Sequence, residues 1–191
     1  MSAVCELPPE TLQPIADTLA RRLGETIVHS PLWYRAHALG LQENRDLLAL
    51  AVQRGARHYA GLAAAAGVPP IGTDVLPNEE LIVLLLHGRN SFEPFLIRAA
   101  AELIRHRSID ATRLALASKR GRCQRVLAYI AKVGMIRDAA GAVFWNALLA
   151  ALGPQRSVPA GVLPHWSRFV ALQGMDRTGR DRGGRWIGAA A

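Results

Sequence analysis

Residues 77–91, PNEELIVLLLHGRNS, decide the fold class. Asn78 is a favourable helix N-cap, and the acidic pair after it suits the positive end of a helix dipole. The run from Leu81 to Leu86 has no polar face, which predicts a helix buried on all sides. Residues 88–91 end this helix and lead into a second one, predicted over 92–106 and packed against the first as a hairpin.

Apolar spacing of three and four residues predicts further helices on both sides of this hairpin. They span residues 10–23, 42–66, 108–118, 122–132, 139–152 and 163–173, and a short irregular stretch is predicted from Pro31 to Leu39. Gly134 is predicted to end the helix over 122–132, and Asp138 to cap the helix over 139–152. No segment alternates apolar and polar residues between hairpin turns. The sequence therefore predicts an all-α fold, a single irregular domain of about seven helices packed as antiparallel hairpins.

Proline and glycine mark the predicted organisation of the chain. The helical domain is predicted over residues 1–173, with a sub-boundary at 67–77, where two consecutive prolines stop a helix. Residues 174–191 are rich in glycine and arginine and are predicted to form a flexible basic tail.

The composition favours a cytoplasmic protein of ordinary domain size. Two cysteines in 191 residues, Cys5 and Cys123, give neither a disulfide framework nor a metal-ligand spacing. The N-terminus lacks the basic and apolar regions of a signal peptide, and no apolar run reaches the length that spans a bilayer. We therefore expect no transmembrane insertion.

The sequence carries no recognisable catalytic motif. Its six histidines are scattered, and none forms a metal-binding HExxH pair. His87 and Glu93 are near enough in sequence for an acid-base pair, but an ordinary histidine at a helix end explains His87 better. The glycines of residues 179–185 lack the lysine and the strand of a phosphate-binding loop, and no GxSxG elbow is present. We expect a protein that is not an enzyme, with no catalytic residue, metal site or cofactor.

Basic charge is concentrated in residues 98–137. This segment has ten basic and two acidic residues, and its net charge of +8 equals that of the whole chain. Arginine greatly outnumbers lysine, which a GC-rich genome would also produce. Five basic residues surround a predicted short turn between two helices: Arg113, Lys119, Arg120, Arg122 and Arg125.

Two kinds of partner fit this basic helical hairpin. An acidic surface of a larger protein assembly would be attracted and oriented by it. Alternatively, the partner is DNA or RNA. The chain would then be a nucleic-acid-binding regulator whose same basic residues contact phosphates, as in a helix-turn-helix. Trp33 and Trp166, close to breaks in the helical pattern, are candidate partner-binding anchors, whereas Trp145 lies within an apolar stripe and is predicted to be core.

Five elements of the sequence resemble a known family. They are Pro31-Leu32-Trp33, Glu80-Leu81, Leu86-His87-Gly88, Ile97-Arg98 and Phe144-Trp145. Over about residues 30 to 170 the chain resembles the K-type cytoplasmic adaptors of type III secretion sorting platforms, which include rhizobial nodulation proteins. The resemblance implies a non-enzymatic adaptor of protein transport, peripherally associated with a membrane complex, that links a membrane-embedded ring to a cytosolic scaffold.

Overall fold

The computed structural model describes residues 17–27, 30–63, 67–172 and 184–187, and it confirms the predicted all-α fold. Nine α-helices lie within the described residues. They are α1 (Leu19–Leu23), α2 (Pro31–Ala38), α3 (Asn44–Gln53), α4 (Ala60–Ala63), α5 (Asn78–Leu85), α6 (Pro94–Ile104), α7 (Ala111–Gly121), α8 (Gln124–Arg137) and α9 (Ala142–Leu152). Three 3-10 turns, Arg57–Tyr59, Ala139–Gly141 and Trp166–Arg168, and two short strands complete the described elements.

Helix α5 forms the centre of the fold. Every residue from Leu81 to Leu86 is buried, as its lack of a polar face predicted. Helices α2, α3, α6 and α7 pack around it. The predicted N-cap is one residue off, because Pro77 holds that position and the Asn78 side chain instead binds Arg54 and Ser108.

Three predictions in the N-terminal half are wrong. The described part of the helix predicted over 10–23 begins only at Leu19, because Thr18 is extended and its side chain caps α1, and residues 10–16 lie outside the described residues. The stretch from Pro31 to Leu39, predicted as irregular, contains α2, in which proline takes the first-turn position that needs no N–H donor. The long helix predicted over 42–66 ends at Gln53, because Gly55 has a φ of 108° and redirects the chain.

Residues 67–77 are tied to the helical core. The Arg54 guanidinium donates hydrogen bonds to the carbonyl oxygens of Ile71, Gly72 and Leu76, and Leu76 is fully buried. The buried apolar residues on both sides of this loop belong to one cluster. The loop therefore connects helices that share one continuous hydrophobic core.

The C-terminal helices pack closely around Trp145. Gly134, predicted to end a helix, lies inside α8, where a Cβ atom would come within 2.3 Å of the Trp145 ring. Asp138 was predicted to cap the next helix, but its carboxylate accepts from Trp145 Nε1 at 2.8 Å and from Arg105 Nε at 2.6 Å. Trp145 is fully buried, as predicted.

The last described residues form a small antiparallel sheet. Strand β1 (Val170–Leu172) pairs with β2 (Gly184–Trp186), so the helix predicted over 163–173 is wrong. The predicted flexible tail is also wrong for residues 184–187. Trp186 is buried against Trp145 and donates to the Ala101 carbonyl, and this burial fixes the strand. The rest of the tail prediction lies outside the described residues.

Candidate partner-binding surface and anion-binding cleft

Eight of the ten basic residues of the predicted hairpin fall into two groups. Four of them are committed to contacts within the fold: Arg98, Arg105, Arg125 and Arg137. Arg105 pairs with Asp138, and the Arg98 and Arg137 guanidinium groups lie over the rings of Tyr59 and Trp166. Such contacts between cations and aromatic rings are worth about 0.5–2 kcal/mol each. These arginines belong to the fold, and a partner would have to displace existing contacts to use them.

Arg125 was predicted to bind a partner, but its side chain joins three segments of the chain. Its Nη1 donates to the Leu23 carbonyl at 2.8 Å and to the Glu25 carboxylate at 3.2 Å. Its Nε and Nη2 both donate to the carbonyl oxygen of Ser157. Replacing Arg125 would therefore disturb the packing of these segments as well as remove a charge.

The other predicted basic residues cluster around one exposed stretch. Helix α7 presents Arg113, Lys119 and Arg120 to solvent, and Arg122 follows it directly. Leu116, on the same helix, is 51% exposed although it is apolar. Within the described part of the chain, none of the four cations forms an ion pair. We define these five residues as the α7 surface.

The two helices do not reproduce the exposure of a DNA-reading helix-turn-helix. In that motif the second helix enters the major groove with its N-terminal residues. Here the second helix is α8, whose residues 126–128 are buried and whose Arg125 is bound within the fold. The exposed cations of α7 could still contact the phosphate backbone of a nucleic acid.

A cleft of about 580 Å³ opens beside the C-terminal end of α7. Five segments line it: the start of α1 with residues 25–26, the loop after α5, the end of α7 with Arg122, the first residues of α8, and the loop after α9. Two glycines permit the close packing of these segments. A Cβ atom on Gly88 would lie 2.9 Å from the Cβ of Ala20, and one on Gly121 would lie 2.2 Å from Val83.

Basic groups dominate the lining of this cleft. Lys119, Arg122 and Arg156 line it, and none has an ion-pair partner among residues 17–27, 30–63, 67–172 and 184–187. Among the described lining residues the only carboxylate belongs to Glu25, which is paired with Arg125. The cleft therefore carries an excess positive charge.

His87 also lines the cleft, although its side chain is almost completely buried. Burial, assisted by the nearby positive charge of Arg89, lowers the pKa of His87 to about 4. The ring is therefore neutral at pH 7. Its Nδ1 accepts the backbone N–H of Arg89 at 3.3 Å, which assigns the ring proton to Nε2.

Arg122 has an uncommon backbone conformation. Its φ of 51° and ψ of 40° place it in the left-handed region, where it is the only non-glycine residue among those the structure describes. In this position it ends α7, because its N–H bonds back to Lys119 and Ser118 carbonyls. Side chains in this region cost roughly 1 kcal/mol, and such strain is often found at functional positions.

We expect Arg122→Gly to raise the free energy of unfolding by about 0.5–1 kcal/mol, because glycine adopts the left-handed conformation without strain. Urea denaturation followed by circular dichroism measures the change. Arg120→Gly is the matched control, since it removes the same charge inside α7 and should cost about 1 kcal/mol. Equal destabilisation by both variants would contradict the strain assignment.

No family model, curated protein or solved structure matches this chain. Within the described ranges, no three metal-binding side chains form a group that could hold an ion, and no single helix is long and apolar enough to cross a membrane. Among the described residues, α8 and the helical stretch Ala139–Leu152 together reach the required length and apolar composition, but they are bent by 116° relative to each other.

The other reactive side chains are kept apart or inert. Burial raises the pKa of the Cys123 thiol to about 12, so this residue is no thiolate at neutral pH. Cys5 lies outside the described residues. Glu93 accepts a hydrogen bond from Asn44 and lines a different cavity from His87, so the structure does not bring that pair together.

The two candidate tryptophans lie away from the cleft lining and are already in contact with cations. The Arg89 guanidinium lies 4.1 Å from the centre of a Trp33 ring, and that of Arg137 lies 3.6 Å from Trp166. Both tryptophans are half-buried. Sequence reasoning missed His87, Glu25 and Arg156 as members of the cleft, because they come from segments far apart in the chain.

Proposed function

We propose that this chain is a non-enzymatic adaptor that binds an acidic segment of a partner protein through the α7 surface. The observation that carries the proposal is the exposed Leu116 among four cations that have no ion-pair partner within the described residues. Protein interfaces combine apolar anchors with arginine, and complementary charge raises the association rate. The exposed leucine favours a protein partner, because a protein surface can offer apolar side chains, whereas the backbone of a nucleic acid presents polar sugars and charged phosphates.

The sequence resemblance to K-type adaptors suggests in which assembly such an adaptor would act. In that setting the chain would be cytoplasmic and would link a membrane-embedded ring to a scaffold of a type III secretion apparatus. The resemblance and the α7 surface are independent supports, because the five resembling elements, which lie within residues 31–33, 80–98 and 144–145, do not include α7. Loss of either support leaves the other in place.

The experiment compares two double variants of equal charge. In Arg113→Glu/Arg120→Glu both reversals lie on the α7 surface and outside the cleft lining. In the control, Arg45→Glu/Arg57→Glu, the same charge is reversed at exposed positions elsewhere. Each tagged chain is recovered from its native cells at moderate salt, and its bound proteins and nuclease-sensitive material are measured.

We expect the wild type and the control to retain a stoichiometric acidic protein that the α7 variant loses. With that partner purified, the α7 variant should associate at least about tenfold more slowly at low salt. Equal recovery by both variants would exclude the α7 surface. Nuclease-sensitive material that dissociates steeply with rising salt would instead support the nucleic-acid alternative.

A further inference from the structure

The cleft beside α7 contains several cations that are not paired with other described residues of the chain. Arg125 is neutralised by Glu25 and holds the surrounding segments together, so it serves the structure. Lys119, Arg122 and Arg156 have no such role: in the described part of the chain they form neither ion pairs nor side-chain hydrogen bonds. Three cations from two segments far apart in the chain, the end of α7 and the loop after α9, thus converge on one cavity of about 580 Å³.

Uncharged donors reinforce these cations. The first turn of α8 reaches the cleft at Gln124 and Arg125, and no side chain caps it. The N–H groups at such a helix start attract anions. Independently, His87 is 98% buried, lines the cleft and carries its proton on Nε2, which has no partner among the described residues.

We propose that this cleft is a binding site for the phosphoryl group of a small phosphorylated molecule. A phosphoryl group carries close to two negative charges and three acceptor oxygens at neutral pH, which matches several cations combined with amide and imidazole donors. A single carboxylate offers only one charge. The cavity volume lies within the range of small-molecule sites and leaves room for an organic portion.

This proposal does not depend on the adaptor function. The α7 surface and the cleft share Lys119 and Arg122, but Arg113 and Arg120 belong only to the surface, whereas His87 and Arg156 belong only to the cleft. Variants at the unshared positions therefore test the two proposals separately.

The test is calorimetric titration of the full chain with pyrophosphate, inorganic phosphate and glycerol 3-phosphate at constant ionic strength. We expect saturable binding of one pyrophosphate per chain. Arg156→Gln should weaken it about tenfold, the typical effect of losing one hydrogen bond to a charged group. Arg113→Gln is the matched control, since it removes one arginine charge outside the cleft, and it should change Kd less than twofold.

The three probes distinguish the source of the phosphoryl group. Glycerol 3-phosphate binding more tightly than inorganic phosphate would support a ligand with an organic portion. The absence of saturable binding by all three probes would overturn the site. Equal weakening by Arg156→Gln and Arg113→Gln would also overturn it, because it would show attraction by the overall charge rather than by the cleft.

His87 provides a readout that needs no substitution in the buried region. Nitrogen-15 spectra of the wild-type chain report the tautomer and the environment of the His87 ring. Bound pyrophosphate should shift the Nε2–H resonance while leaving the tautomer unchanged. Saturable binding with an unchanged His87 spectrum would exclude the imidazole as a donor and place the anion elsewhere.

Discussion

Trp145→Ala should lower the free energy of unfolding by about 4 kcal/mol. Trp145 is fully buried, and removing a buried aromatic ring loses its transfer free energy and leaves a cavity. The ring also lies against Gly134 and Trp186, so the truncation removes contacts with both α8 and the terminal strand. Such a loss is a large fraction of the 5–15 kcal/mol that typically stabilises a domain.

Urea denaturation measures this change, with Val143→Ala as the matched control. Val143 lies two residues earlier in α9 and is 86% exposed, so its truncation should change stability by less than about 0.5 kcal/mol. A loss below about 1 kcal/mol for Trp145→Ala would contradict the packing described around this ring.

The burial of Trp145 could be predicted from the sequence, but the residues that enclose it could not. Its place in an apolar helical stripe is a local property. The roles of Gly134 and Asp138 depend on the ring that packs against them from another helix, and local rules misread them as a helix end and a helix cap. Trp186 was assigned to a tail for the same reason, because its contacts lie far away in sequence.

The candidate sites, too, could be predicted from the sequence only in part. Lys119, Arg120 and Arg122 follow one another closely, so their clustering is visible in the sequence, and the structure leaves them exposed. Arg125 belongs to the same run but is bound to Leu23, Glu25 and Ser157. Charge density predicts where cations accumulate, but only tertiary contacts determine which of them remain available.

Glu102 gives the second large expected effect, a loss of stability as pH rises. The residue is buried on α6, and burial raises its pKa from 4.5 to about 7, although backbone N–H groups of His58 and Arg57 lower it in part. Its Oε2 atom has no hydrogen-bond partner. Between these two pH values the folded chain holds a proton that the unfolded chain has released.

Because the folded state binds more protons in this window, its stability should be full below about pH 4.5 and should fall as pH rises to about 7. The pKa difference corresponds to about 3 kcal/mol. Glu102→Gln keeps the shape of the side chain without its charge, so it should stabilise the fold by about 2 kcal/mol at pH 8 and change little at pH 4.

Denaturation of both chains in urea from pH 4 to pH 8 tests this expectation. Asp74→Asn is the control, because it removes one carboxylate at an exposed position and should leave the pH dependence of the wild type intact. If Glu102→Gln follows the wild-type curve at every pH, then Glu102 is ionised in the folded chain at neutral pH. Arg98 and Arg168, which line the same small cavity, would then be the cations that compensate its charge.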